Sequence, residues 1–274
     1  MYSLEPTKNT RPASFDRQAI AYDRRTGLSE EICRQIAETI LDRAGAKTNE
    51  LVVEVGAGTG QIGQWFGRSH LGVRYLGFDL SEAMLSQFRQ RSPQGGENIT
   101  LLQADGNQPW PIAKGTATVI FGSRSLHLLD RDRVVEECLR IARRDGAILF
   151  IGSIERQKES VKTLMKQKMR QLLEQKGFQG REKNRDRLIE LFRQRGCEID
   201  SPTAIAEWSV SHTPRQSLES WQNKDGLAGI DPPIAIKQEV LNELQTRAES
   251  IFGDIDTPIE SQETYRVQTI KINT

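Results

Sequence analysis

Three acidic residues stand at or near the ends of apolar runs: Glu54 in "LVVEVGAGTGQIG", Asp79 in "VRYLGFD" and Asp105 in "ITLLQAD". The first run breaks into four glycines within eight positions, Gly56 to Gly63. Glycine frees a backbone for a left-handed turn, or for a ligand's close approach where a Cβ would clash. The spacing from Gly58 to Gly63 is G-x-G-x-x-G, the loop of nicotinamide-dinucleotide enzymes; a plain strand-to-helix turn is the other reading. Asp79 lies 19 residues after Gly60, where a carboxylate can accept from both hydroxyls of a ribose. Asp105 can accept from the exocyclic amine of adenine, and Trp110 can lie against the purine face. A dinucleotide enzyme has no evident use for Glu54 or Asp105. It would want a Tyr-x-x-x-Lys pair, and none of Tyr2, Tyr22, Tyr75 and Tyr265 has a lysine four residues on.

Alternating elements must carry these acids. Residues 1–14 have no period. Ser29 caps a helix whose face is Ile32, Ile36, Ala37, Ile40 and Leu41, and Gly45 ends it. Strands follow at 51–55, 73–79, 99–105, 117–123 and 146–153, with helices from about Gln61 and over 81–91 and 131–144. This order predicts a parallel sheet with helices on both faces. The acids then reach the carboxyl ends of three strands, where ligands sit in open parallel sheets.

After 153 the pattern changes. Over 156–195 there are thirteen Lys/Arg against five Asp/Glu. One apolar stripe runs through Val161, Leu164, Met165, Lys168, Met169, Leu172 and Leu173. A strand at 203–210, helices near 214–224 and 234–252, and a last strand at 263–272 fit the far edge of the same sheet.

The bulk numbers exclude several classes. The 274 residues suffice for one large α/β domain or a core carrying a lid. A net charge of +1 does not announce a nucleic-acid binder. No apolar run approaches the ~20 residues of a membrane span, and the first residues lack a secretory h-region. Cys33, Cys138 and Cys197 stand far apart, as do the three histidines, which argues against a disulfide framework and a metal site and suits a reducing cytoplasm.

In order and spacing, "VVEVGAGTG", "YLGFDLSEAML", "LLQADGNQPWPI", "ATVIFGSRSLHLLD" and "RIARRDGAILFIG" resemble the successive motifs of class I S-adenosylmethionine-dependent methyltransferases. The small-molecule type that includes the ubiquinone/menaquinone methylases is the most similar. The match covers 51–153, and "SFDRQAIAYDRR" (14–25) resembles that family's lead-in. The resemblance implies S-adenosylmethionine as cofactor, bound by the loop Gly56, Ala57, Gly58 and Gly60, with Gly56 and Gly58 on its methionyl side. It implies that Asp79 holds the ribose, Asp105 the adenine amine, Leu80 one adenine face, and Gly106 the ring through its N–H. Ser123 falls under the methionyl amine. Tyr22 reaches the cofactor carboxylate, with Arg25 as the charged alternative; ordinary packing or surface roles are the other reading of both. Glu54 is either an acid near a cationic cofactor or a strand-end acid satisfied by backbone donors.

A methyl on a sulfonium is already activated, so the protein mainly supplies alignment and exclusion of water. A base is needed only if the nucleophile arrives protonated. His127 is the candidate base, the alternative being a histidine packed at a helix start; Arg124 is a second substrate-facing candidate. The basic stretch 156–195 is either a clamp for an anionic substrate, carrier protein or RNA, or the solvated face of a lid helix. Nucleic-acid methylation is disfavoured: "GSRS" stands where such enzymes carry an Asn/Asp-Pro-Pro-aromatic motif. An NAD(P)-dependent oxidoreductase and a catalytically silent binding protein are the readings from other classes.

The expected fold is therefore α/β, Rossmann-like and doubly wound: seven mostly parallel strands, the last antiparallel, plus a helical cap. The expected organisation is a lead-in over 1–50, a cofactor core over 51–153, a lid over 154–187, and the end of the sheet over 188–274 with helices inserted at 211–260. The expected function is methyl transfer to a small organic acceptor.

Overall fold

A computed structural model describes residues 23, 27–92, 98–178, 184–224 and 226–273. Two compact units are present, Met1–Phe150 with Lys271–Thr274, and Ile151–Ile270.

In the first unit, α1 (Glu30–Ala44) starts where Ser29 Oγ accepts from Ile32 N–H and stops at Gly45, whose φ is 59°. Its buried face is Cys33, Ile36, Ala37, Ile40 and Leu41. β1 (Leu51–Val55) is flanked in parallel by β2 (Arg74–Asp79) and β4 (Ala117–Ser123), and β2 by β3 (Ile99–Gln103). These central strands are rich in Val, Ile and Phe because both faces are covered; Val52, Val53, Val119, Ile120 and Phe121 are fully buried. The helices α2 (Gly63–Gly67), α3 (Glu82–Arg91) and α4 (Arg131–Ile141) follow β1, β2 and β4 in the chain. The helix expected from Gln61 is thus a single turn.

β5 (Ala147–Arg156) crosses into the second unit, which continues with α5 (Val161–Gln175), α6 (Asn184–Gln194), β6 (Glu198–Ile199), β7 (Thr203–His212), α7 (Pro214–Gln222), α8 (Ile234–Phe252) and β8 (Ile259–Ile272). The stripe of α5 is buried in this unit's own core, where Val161, Met165, Met169, Leu172 and Leu173 join Leu218 of α7 and Val240, Leu241, Leu244 and Ala248 of α8. β7 runs antiparallel to β8.

The sheet order is β3-β2-β1-β4-β5-β8-β6, with β7 on β8. Eight strands replace the seven expected. The additional one, β6, has two residues, too few to show alternation. Among the described residues no helix is long and apolar enough to cross a membrane.

Candidate active site

The loop after β1 turns at once. Gly56 has φ 72°, and its N–H and that of Ala57 donate to Phe78 O at 2.9 and 3.0 Å. Gly58 N–H donates to Asp79 Oδ2 at 2.9 Å, and Ser81 N–H to Asp79 Oδ1 at 2.9 Å. Backbone from two loops thus fixes the Asp79 carboxylate. Asp105 is held differently: its Oδ1 accepts from Asn107 N–H at 2.9 Å and from Asn107 Nδ2 at 3.1 Å. Asn107 Oδ1 in turn accepts from Asp130 N–H at 2.7 Å, and Asp130 caps α4.

One cavity collects these ends. Gly56, Gly58, Asp79, Leu80, Asp105, Gly106, Ser123 and Arg124, all named from the sequence, line it. So do Val55, Phe78, Met84, Ala104, Asn107, Ser125, Leu128 and Leu129, which sequence reasoning missed. Their signal was position alone: Val55, Phe78, Ala104, Asn107 and Ser125 lie at or just beyond a strand's carboxyl end, and Met84, Leu128 and Leu129 in the turn or helix that follows.

The four loop glycines are bare for different reasons. A Cβ on Gly56 would overlap Ser125 Cβ, whose hydroxyl donates to Val55 O. One on Gly60 would enter the Phe88 ring, and one on Gly63 would meet Tyr75 Oη and stand 2.5 Å from Glu54 Oε2. At Gly58 alone of the four, a Cβ would meet nothing within 4 Å among the described residues. The protein's own side chains occupy the space beside three of them; Gly58, with φ 56°, leaves open space at the cavity wall.

Several expected site residues lie elsewhere. Glu54 is 3% exposed and does not line the cavity. Its Oε2 accepts from Tyr75 Oη at 2.5 Å, so its partner is a side chain and not the loop backbone. Ala57 and Gly60 are likewise outside the lining. Trp110 is in the core, 5.4 Å from the Phe78 ring, with its indole N–H on Gly106 O at 3.0 Å. Its backbone N–H donates to Glu137 Oε2 at 2.7 Å, and the residue is buried and does not line the cavity. His127 is exposed on the 3₁₀ turn Leu126–Leu128 and does not line the cavity. With three residues per turn, Ser125 and Leu128 share one direction, toward the cavity, and His127 takes another. Tyr22 and Arg25 lie outside the described residues. Asp23, one residue on, accepts from Thr59 Oγ1 and pairs with Arg91, which also donates to Thr59 O at 3.2 Å. It braces the loop from outside the cavity, a role the lead-in motif did not reveal.

Burial pushes the Glu54 carboxyl up to about 8; the Tyr75 hydrogen bond opposes this and the Asp79 charge adds to it. Folded chains therefore keep a proton that unfolded chains release above the ordinary value of 4.5. Stability falls as pH rises from about 4.5 to about 8 and levels off beyond. Glu54→Gln is expected to flatten this slope, gaining about 2 kcal/mol, or roughly 5 °C in Tm, on the parent between pH 5 and 9. Parallel slopes in thermal scans would refute the burial account.

Comparison with known proteins decides between the two nucleotide readings of the loop. The family model described as "Methyltransferase domain" matches residues 53–150. Residues 53–150 are thus similar to a methyltransferase domain. A malonyl-[acyl-carrier protein] O-methyltransferase of Laribacter hongkongensis is 33% identical over 153 residues, covering 50% of this chain and 48% of that protein. The chain thus spans about half the length of this curated relative. The YcgJ protein of Bacillus subtilis superposes with a TM-score of 0.56 at 14% identity, over 87% of this chain and 98% of that one. A geranyl diphosphate methyltransferase in complex with S-adenosylmethionine does so with a TM-score of 0.51 at 14% identity, over 98% and 92%. These neighbours share the Rossmann-like fold, a mostly parallel sheet flanked by helices.

Proposed function

We propose that the chain transfers a methyl group from S-adenosylmethionine to a small organic acceptor. One observation carries this reading: the carboxylates of Asp79 and Asp105, on neighbouring strand ends, share a cavity with the unobstructed Gly58. The cofactor fits this set. It has hydroxyls and an amine for two acceptors, a slender methionyl arm for a bare backbone, and no phosphate. Bound, it supplies a methyl already activated by the sulfonium.

The chain's residues do the rest. Asp79 accepts from the ribose hydroxyls, and Asp105 from the adenine amine. Leu80 covers the base and Gly106 offers its N–H. Ser123 takes the methionyl ammonium. Val55, Phe78, Leu128 and Leu129 give the cavity an apolar wall that sheds water. The titratable side chains of the lining are Asp79, Asp105 and Arg124. Asp79 and Asp105 are assigned to the cofactor, so a nucleophile that arrives already ionised fits best. A carboxylate meets that requirement, and Arg124 is placed to hold it. Malonyl-acyl-carrier protein, named for the relative above, is the first acceptor to test, beside free carboxylic acids. The three cysteines, buried and in no disulfide, suit the reducing cytoplasm to which we assign the reaction.

The test is calorimetry with S-adenosylmethionine and with NADH, followed by release of S-adenosylhomocysteine across the acceptors. Binding of NADH in preference to S-adenosylmethionine would sink the reading.

Arg124 makes a sharper prediction. Its φ of 60° is a left-handed conformation that glycine adopts freely and arginine rarely, costing ~1 kcal/mol or more. Arg124→Gly relieves that strain. Stability is expected to stay within about 1 kcal/mol and cofactor affinity within about twofold, while turnover falls at least tenfold. Unchanged turnover would remove Arg124 from the acceptor's side.

A further inference from the structure

Away from the methyl-transfer cavity, the Ile151–Ile270 unit holds a buried acid with one oxygen unused. Glu263 of β8 is 1% exposed. Arg156 Nε and Lys162 Nζ both donate to its Oε1, at 2.8 and 3.0 Å. Its Oε2 is buried and, among the described residues, accepts from none. Trp208 of β7 is the residue directly opposite Glu263 in the antiparallel pair, so the two side chains leave the sheet on the same face. The indole N–H of Trp208 is also buried and also without an acceptor. A donor and an acceptor, each stripped of water, thus belong to facing residues on one face of the β7–β8 pair.

Burying such atoms unpaired is costly. One group satisfies both: a hydroxyl, which accepts from the indole and donates to the carboxylate. The charge beside it is positive. Arg156 and Lys162 share one carboxylate, and Lys166 and Arg170 follow Lys162 at every fourth position along α5. His212, on the same face of β7, adds no charge at neutral pH: burial and the neighbouring Lys162 push it down to about 4. Its Nε2 is within 3.0 Å of Ser217 Oγ. Arg156 and Lys162 are 31% and 23% exposed, so the cluster opens to solvent on its cationic side.

From this arrangement we infer that Glu263, Trp208, Arg156 and Lys162 form a binding site for an oxyanion that carries its own hydroxyl. A hydroxy acid and a phosphate share that chemistry. Lys162 and Arg156 hold the anionic oxygens, Trp208 donates to the hydroxyl oxygen, and Glu263 Oε2 accepts its proton as a hydrogen bond. The site does not depend on methyl transfer, and its test needs no cofactor.

The experiment follows the indole N–H resonance of Trp208, assigned with Trp208→Phe, in the full chain at pH 7.5 in a zwitterionic buffer. Four anions are titrated at matched ionic strength. Inorganic phosphate and glycolate carry a hydroxyl; sulfate and acetate do not. Saturable shifts are expected with phosphate and glycolate, at least tenfold tighter than with sulfate and acetate respectively. The tighter of the first two identifies the class. Lys162→Gln should weaken both at least tenfold. Glu263→Gln should erase the preference for hydroxyl-bearing anions; should that variant fail to fold, Lys162→Gln and the wild-type preference decide alone. Equal affinity for all four anions means an unspecific cationic surface and overturns the proposal. No saturable shift, with only an ordered water bridging the two atoms, overturns it as well.

Discussion

Asp79→Ala is expected to weaken S-adenosylmethionine binding by at least 100-fold while the chain stays folded. The carboxylate does two things at once. It anchors Gly58 N–H and Ser81 N–H, so its loss frees the open wall of the cavity and the turn into α3. It also supplies the acceptor proposed for the ribose hydroxyls. A charged acceptor is worth ~1.5–3 kcal/mol per hydrogen bond, and about 2.7 kcal/mol is already 100-fold in affinity. Asp79→Asn is not expected to rescue binding, because its amide would present a donor to a backbone donor. Calorimetry gives the affinity and a thermal scan the fold. Affinity within threefold of the parent would show that the cavity does not hold the cofactor in this orientation.

Gly60→Ala is expected to act on stability. Gly60 has φ 75°, and an added Cβ would enter the ring of Phe88, which is fully buried. Left-handed backbone costs a non-glycine residue ~1–2 kcal/mol, and overpacking a closed core ~1–3 kcal/mol. A loss of about 3 kcal/mol, roughly 10 °C in Tm for a chain of this size, should follow. Gly58→Ala is the contrast. It meets open space and bears only the conformational cost, so its main effect should fall on cofactor affinity. If the two variants lose equal stability, the division of the glycines between protein packing and ligand approach is wrong.

That division explains what was legible in the sequence. The acids at three strand ends were visible because buried parallel strands read as apolar runs with abrupt ends, and Asp79 and Asp105 do reach one cavity. The G-x-G-x-x-G spacing was ambiguous because Gly56, Gly60 and Gly63 answer to Ser125, Phe88 and Tyr75, residues 12 to 69 positions away. No local pattern records such pairings. Glu54 was misplaced for the same reason: its partner Tyr75 is 21 residues on, and the bare Gly63 leaves that pair its room. Trp110 donates its indole N–H to Gly106 O four residues back and packs in the core beside Phe78, a placement that its position in the sequence does not show. His127 was named for its place after β4, but the rotation of a three-residue turn decides direction, and neighbouring types do not encode it. The apolar lining residues, Met84, Leu128 and Leu129, resemble any core residue until their neighbours are known.

Part of the glycine loop's geometry is set far upstream. Asp23 receives the Thr59 hydroxyl across 36 residues and the Arg91 guanidinium across 68. A single carboxylate before α1 therefore serves as a keystone for two later segments of the chain. During synthesis the Thr59 half of this brace is available as soon as the glycine turn emerges, and the other half closes only once Arg91 has left the ribosome.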